Sequence, residues 1–201
     1  MEKFSWRIAL LSALPIALLL VVNACMLQGL EEASPKIKQG TRFPNFTTQD
    51  IYGNTVTNDI FKGNFSVVYL WVTKDADISR NMCNLMTKFA TETSQSFKFV
   101  GIVGDAKEGS ASKISLARSL TEDLPPDMIQ ILPNDDMLSF LQSVHSTPFV
   151  CFVDEKGNFI GQPVVGNEPE LVEKGVHRLI TEKSLTVETA AKAQKRLFDR
   201  P

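Results

Sequence analysis

The stretch VVYLWVTKDADISRNMCNLMTKFA, from Val67 to Ala90, decides how the rest of the chain is read. It opens as a β-branched and aromatic run, which is the composition of a strand buried on both faces. After a short charged turn its apolar residues change period. Ile78, Met82, Leu85, Met86 and Phe89 fall at i, i+4, i+7, i+8 and i+11, one face of an α-helix. Asp75, Asp77 and Ser79 lie where an N-cap and first turn belong, and acidic groups there suit the helix dipole. A strand that feeds directly into a helix N-terminus makes a site for negative charge, and in many enzymes a reactive thiolate occupies it. In this chain carboxylates stand there.

The chain of 201 residues is 43% hydrophobic and 22% charged, enough for one ordinary domain with extensions. A formal net charge of −2 argues against a general nucleic-acid binder. The cysteines at 25, 83 and 151 form no CxxC or CxxxC, and His145 and His177 lie far apart. No metal site and no cofactor are expected from that pattern.

Lys3 and Arg7 precede an apolar run from Ile8 to Val22, a positive region followed by a hydrophobic one. Read on through Leu27, it reaches about 20 residues, long enough to span a bilayer. Val22-Asn23-Ala24-Cys25 is similar to a bacterial lipobox, with Asn at an unusual place. Three fates stay open for residues 1–27: an uncleaved signal anchor, lipidation at Cys25, or cleavage and release. All three put the domain outside the cytoplasm, with a membrane partner at the N-terminus in the first two. Polar residues 28–39 read as a tether.

Residues 40–182 read as the domain. Arg42 to Phe46 is an edge segment, and Gly53-Asn54 turns a hairpin into Thr55-Val56-Thr57. Asp59 to Gly63 is a short helical turn. Phe97 to Val103 is a second buried strand, Ser110 to Leu120 a helix, and Met128 to Leu132 a short strand. Asp135-Asp136 opens a helix carrying Met137, Leu138, Leu141 and Val144. Phe149 to Val153 and Phe159 to Val165 are strands joined by Asp154 to Asn158. Asn167, Pro169 and Glu170 start a helix with a core face of Val172, Val176, Leu179 and Ile180, in which Gly175 costs about 1 kcal/mol relative to alanine. A separate last helix is expected from about Val187 to Phe198, within a C-terminal extension, 183–201.

This order, with helices on both faces of a mixed sheet, resembles the thioredoxin fold, a three-layer α/β/α sandwich. Within it the chain is similar to the membrane-anchored thiol–disulfide oxidoreductases of the TlpA and ResA type. Phe43-Pro44-Asn45-Phe46 with Tyr52-Gly53-Asn54-Thr55-Val56 looks like that family's opening, and Lys62-Gly63-Asn64 like its LKGK. Val67 to Thr73 looks like its VVLNFWAT, Ser146-Thr147-Pro148-Phe149 like the loop with the fold's cis-proline, and Asp154 to Asn158 like the hairpin after it. The family's Cys-x-x-Cys follows the strand at once. Here Asp75 stands at the first of those places and Ile78 at the second. Exchange requires an attacking thiolate and a second sulfur, and a carboxylate supplies neither.

Two functions follow from the resemblance. One is a non-catalytic, extracytoplasmic module that binds a protein or peptide in a groove formed by Trp71, Asp75, Thr147 and Pro148. The other is a redox enzyme working through Cys83 alone, so enzymatic activity is left open. Cys83 is placed about two turns into its helix, half-exposed at the edge of the apolar face, Cys151 in the core, His145 in a solvated loop, and Asp75 and Asp77 as helix caps.

Overall fold

The computed structural model describes residues 37–93 and 97–198, without the side chains of 193–198. The expected membrane segment, Cys25 and nearly all of the tether lie outside the described residues. Among the described residues no helix is long and apolar enough to cross a membrane.

Among the described residues seven strands and four α-helices follow one another: β1 (Thr47–Gln49), β2 (Thr55–Thr57), β3 (Ser66–Trp71), α1 (Ala76–Glu92), β4 (Lys98–Val103), α2 (Ala111–Leu120), β5 (Ile129–Ile131), α3 (Leu138–Ser143), β6 (Phe149–Val153), β7 (Phe159–Val165) and α4 (Pro169–Phe198). β1 and β2 form a hairpin, and the other five strands form one sheet in the order β5-β4-β3-β6-β7. β3 runs parallel to β4 and antiparallel to β6. The architecture is the expected one, α/β with a mixed sheet.

The central strand sets the layers. All six residues of β3 are buried. Successive side chains point to opposite faces, so Val67, Tyr69 and Trp71 enter one core and Val68 and Leu70 the other. The first core is roofed by α1, α2 and α4 through Met82, Met86, Ala117, Val172 and Leu179. The second is closed by α3 and by the segments around the hairpin. Phe43 is its hub, with ring centroids 4.9 Å from Phe140, 5.2 Å from Phe61 and 5.5 Å from Phe159.

The two hairpin turns are one device used twice. Asp50-Ile51-Tyr52-Gly53-Asn54 and Asp154-Glu155-Lys156-Gly157-Asn158 share the pattern Asp-x-x-Gly-Asn. In each, aspartate Oδ1 accepts the N–H groups two and four residues on, at 2.8–2.9 Å. Its Oδ2 accepts the asparagine side-chain amide, at 2.8 and 3.0 Å. The glycines sit at φ of 90° and 85°, where an L side chain is strained.

The turns also place the chain along the sheet's margins. The Ile51 N–H donates to the Gln130 carbonyl (2.9 Å) and the Leu132 N–H to the Gln49 carbonyl (2.8 Å), which covers the β5 edge. The Phe43 N–H donates to the Gly157 carbonyl (2.8 Å), which ties the incoming segment to the β6–β7 turn.

Four expectations are corrected. Ile78 is 44% exposed, and Ser79 takes its place inside, donating to the Val72 carbonyl at 2.8 Å. The buried stripe passes through Ser79, and Ile78, one residue earlier, is turned about 100° from it. The buried stripe of α1 is Ser79, Met82, Cys83, Met86 and Phe89, rotated towards Cys83 and away from Leu85. In the turn before and through α3, Met137 and Phe140 face the core, while Leu138 is exposed. Finally, α4 is one continuous helix of 30 residues. Nothing between Ile180 and Val187 breaks a helix, so no boundary forms there, and Ile180 lies outside the core face.

Gly175 also changes meaning. A β-carbon there would fall inside the Phe152 ring of β6. The glycine is what lets α4 approach the sheet. Gly175→Ala is therefore expected to destabilise the chain by about 1–3 kcal/mol through overpacking, although helix propensity alone predicts a gain of about 1 kcal/mol. Urea denaturation decides the sign.

Candidate functional site

β3 ends at Trp71, and the chain turns through a 3₁₀ segment, Thr73–Asp75, into α1. The β3–β6 register pairs Leu70 with Phe149, which brings Pro148 to the end of β3 where this turn begins. The Thr147–Pro148 peptide bond is cis. Asp75 and Pro148 thus belong to the same end of the sheet, on consecutive turns of neighbouring strands. Asp75 and Thr147 are half-buried, Pro148 is buried, and Lys74, Asp77, Ile78, His145 and Ser146 are exposed. The Pro148 carbonyl accepts the Gly166 N–H at 2.8 Å, which fixes this loop against the far end of β7.

Asp75 is the N-cap residue of α1, but its carboxylate makes no capping hydrogen bond. The turn is held from another strand instead. Asp105, just past β4, accepts the Thr73 N–H at 2.7 Å and the Thr73 hydroxyl at 2.8 Å. Lys113 of α2 lies 3.5 Å from the same carboxylate and donates to the Asp105 carbonyl at 2.6 Å. Burial pushes the Asp105 carboxyl up, but the two Thr73 hydrogen bonds and the Lys113 ammonium outweigh it and hold the group below the ordinary 3.8. Asp105 lies two residues past the second buried strand read from the sequence, Phe97 to Val103, and that reading gave it no role. Its signal was an acid directly after Gly104, where a parallel strand ends beside the start of a helix.

Trp71 does not reach the groove. It is fully buried, and its indole N–H donates to Gln130 Oε1 at 3.0 Å. Gln130 Nε2 donates to the Tyr69 hydroxyl (2.7 Å) and the Met128 carbonyl (3.0 Å). Register lines up Tyr69, Gly101 and Gln130 across three strands. A β-carbon at Gly101 would fall on the Gln130 carboxamide, so the glycine leaves the space the amide crosses. Desolvation in this core pushes the Tyr69 phenol well above its ordinary value.

Both described cysteines are free and buried. Cys83 is 2% exposed and lies within the buried stripe, not at its edge as expected, and burial pushes its thiol up to about 12, with Arg80 opposing. Cys151 faces the second core on β6, and burial pushes its thiol up as well. Such thiols are protonated at neutral pH and sealed from a disulfide in solution. The turn of α1 that faces solvent thus offers carboxylates, an ammonium and backbone groups, without sulfur among the described residues. Among those residues no group of three His, Cys, Asp or Glu side chains is gathered to hold a metal ion. A separate cleft of about 420 Å³ opens on the sheet face opposite α1, lined by Arg42, Asn45, Asn58, Lys62 and Lys156 among others.

The Asp105 contacts carry a pH signature. A carboxyl held low in the folded state adds stability above its unfolded value, near 3.8, and loses it as pH falls through the folded one. Asp105→Asn is expected to lower stability by roughly 1–2 kcal/mol at pH 7. The gap from the parent chain should close as pH drops below 4, as read from urea midpoints across pH.

No family model matches the chain, and no curated protein matches it. Solved structures do. The thioredoxin domain of a thiol-disulfide oxidoreductase from Bacteroides vulgatus is 21% identical with a TM-score of 0.53, over 69% of this chain and 98% of that one. A putative thiol:disulfide interchange protein DsbE from Chlorobium tepidum is 18% identical with a TM-score of 0.56, over 72% and 99%. Yeast Sco1 with copper bound is 18% identical with a TM-score of 0.57, over 74% and 94%. Sheet order, the cis-proline loop and these matches agree that the chain has the thioredoxin-like fold on which thiol–disulfide oxidoreductases and Sco1 are built.

Proposed function

We propose that this chain is an extracytoplasmic, membrane-tethered, thioredoxin-like binding module that does not exchange disulfides. Its partner is an extended protein or peptide segment received between the start of α1 and the Thr147–Pro148 loop. The observation that carries this reading is the sulfur-free helix start, in which Asp75 and Ile78 occupy the places of the two thiols. The remaining described thiols, Cys83 and Cys151, are buried and pushed up in pKa, which counts against a single-cysteine enzyme. Exposed Ser146 and half-buried Thr147 offer main-chain groups beside the helix, and those do not depend on sulfur. The apolar run from Ile8 to Val22 supports the tether and the location.

The full-length chain in detergent is expected to leave the reduction of insulin by dithiothreitol at its background rate, and Cys83→Ser to change nothing. A rate above background that disappears in Cys83→Ser would sink the reading.

A second variant asks whether only the sulfur is missing. Residues three apart in a helix have Cα separations within the range a disulfide spans. Asp75→Cys combined with Ile78→Cys is therefore expected to raise the reduction rate at least tenfold over the parent chain. A silent double variant with an intact fold would show that the surrounding surface has lost its disulfide-handling shape.

A further inference from the structure

Three basic residues reach one cleft from three separate stretches of chain. Arg42, Lys62 and Lys156 line the opening of about 420 Å³ on the sheet face opposite α1, together with Phe46 and Phe61. The β6–β7 turn gathers them. Arg42 forms a bridge with Asn158, and the Phe43 N–H donates to the Gly157 carbonyl at 2.8 Å. The Gly63 N–H, one residue past Lys62, donates to the Glu155 carbonyl at 3.1 Å. Lys156 sits inside the turn, its own N–H held by Asp154 Oδ1 at 2.9 Å. The main chains that carry the three side chains are thus bonded to one turn, which is itself clasped by Asp154.

The charges at that end are not balanced. Lys62 pairs with Asp59 at 2.6 Å, but the two side chains are 72% and 70% exposed, so the pair is worth little and can exchange. Arg42 and Lys156 have no carboxylate partner among the described residues. The other acid of the cleft, Asp136, is engaged at the far end of the segment 42–47, where it accepts the Thr47 N–H at 3.2 Å. The floor is closed by Phe46 and Phe61, both buried. Asn58 pins it, accepting the Phe46 N–H at 2.5 Å and donating to the Pro44 carbonyl at 2.8 Å. Two free positive charges, and a third that can be released, suit an anion with more charge and more acceptor oxygens than a single carboxylate has. A phosphate monoester is close to a dianion at neutral pH and offers three acceptor oxygens. A cleft of this size also has room for the organic part of a small ester.

We propose that this cleft binds a phosphate monoester, its oxygens held by the Arg42 guanidinium and the Lys156 ammonium, with Lys62 turning from Asp59 to the ligand. The site shares no residue with the groove at the start of α1.

The test is calorimetric titration of the full-length chain in a nonionic detergent. Two probes carry the same group from different sources: glycerol 3-phosphate, and a short-chain phosphatidic acid. Saturable binding of one equivalent per chain is expected for at least one of them, and the tighter of the two tells whether a soluble ester or a lipid headgroup is the natural source. Arg42→Gln and Lys156→Gln should each weaken that binding at least fivefold. Lys88→Gln, on α1 and paired with Glu92 away from the cleft, should leave it unchanged. Asp59→Asn should tighten it at least twofold by releasing Lys62, a gain that a misfolded chain cannot give. Neither probe binding, binding that survives Arg42→Gln combined with Lys156→Gln, or an Asp59→Asn chain that binds no tighter than its parent would overturn the proposal.

Discussion

The structure depends on the complete desolvation of β3. A strand buried on both faces has its main chain satisfied by its neighbours, but two of its six side chains, Tyr69 and Trp71, carry polar atoms into the α-side core. A buried polar atom left without a partner costs about 1–3 kcal/mol. One carboxamide meets both demands, since Gln130 accepts from the Trp71 indole and donates to the Tyr69 hydroxyl. It reaches Tyr69 across β4 only because residue 101 has no side chain. The pairing of three strands and the bulk of the core are thus tied to one amide and one missing β-carbon, a network that specifies register as well as stability.

The same strand delivers the chain to the start of α1, and there the polar logic changes from satisfaction to presentation. Asp105 holds Thr73 from the side, which fixes the turn without using Asp75. The Asp75 carboxylate stays uncommitted at the head of a helix, where the dipole favours negative charge. The scaffold supplies the position, and the residue placed there decides the chemistry. On a surface of this kind a thiolate exchanges bonds, whereas a carboxylate only attracts hydrogen-bond donors and cations.

The sheet was legible from sequence because its signals are local and strong. β-Branched runs of five or six residues, punctuated by Gly, Asn and Asp, can hardly be anything but strands, and the change of period at Asp75 marks the strand-to-helix join. What escaped were the features that need a partner distant in sequence. Ile78 fits the helical face by spacing, yet the buried stripe runs through Ser79 beside it. Cys83 was placed at a boundary because the stripe was centred without knowing where the sheet lies. Gly175 was assigned a propensity cost because Phe152, which explains it, stands 23 positions earlier. Asp105 and Gln130 gave only weak hints, a polar residue at a strand end and one between two isoleucines. Trp71 read as core at the end of its strand or as part of the groove wall, and its burial and its bond to Gln130 put it in the core.

The paired Asp-x-x-Gly-Asn turns bear on where the polypeptide tolerates being opened. Each turn is closed by its own five residues, with the aspartate oxygens and the backbone both engaged, so an added residue would disrupt several bonds at once. The segment Lys107–Gly109 between β4 and α2 is exposed and is closed by main-chain bonds, such as Ser110 N–H to the Lys107 carbonyl at 2.9 Å, with no aspartate clasp. Insertion of an epitope belongs in that segment and not in either hairpin.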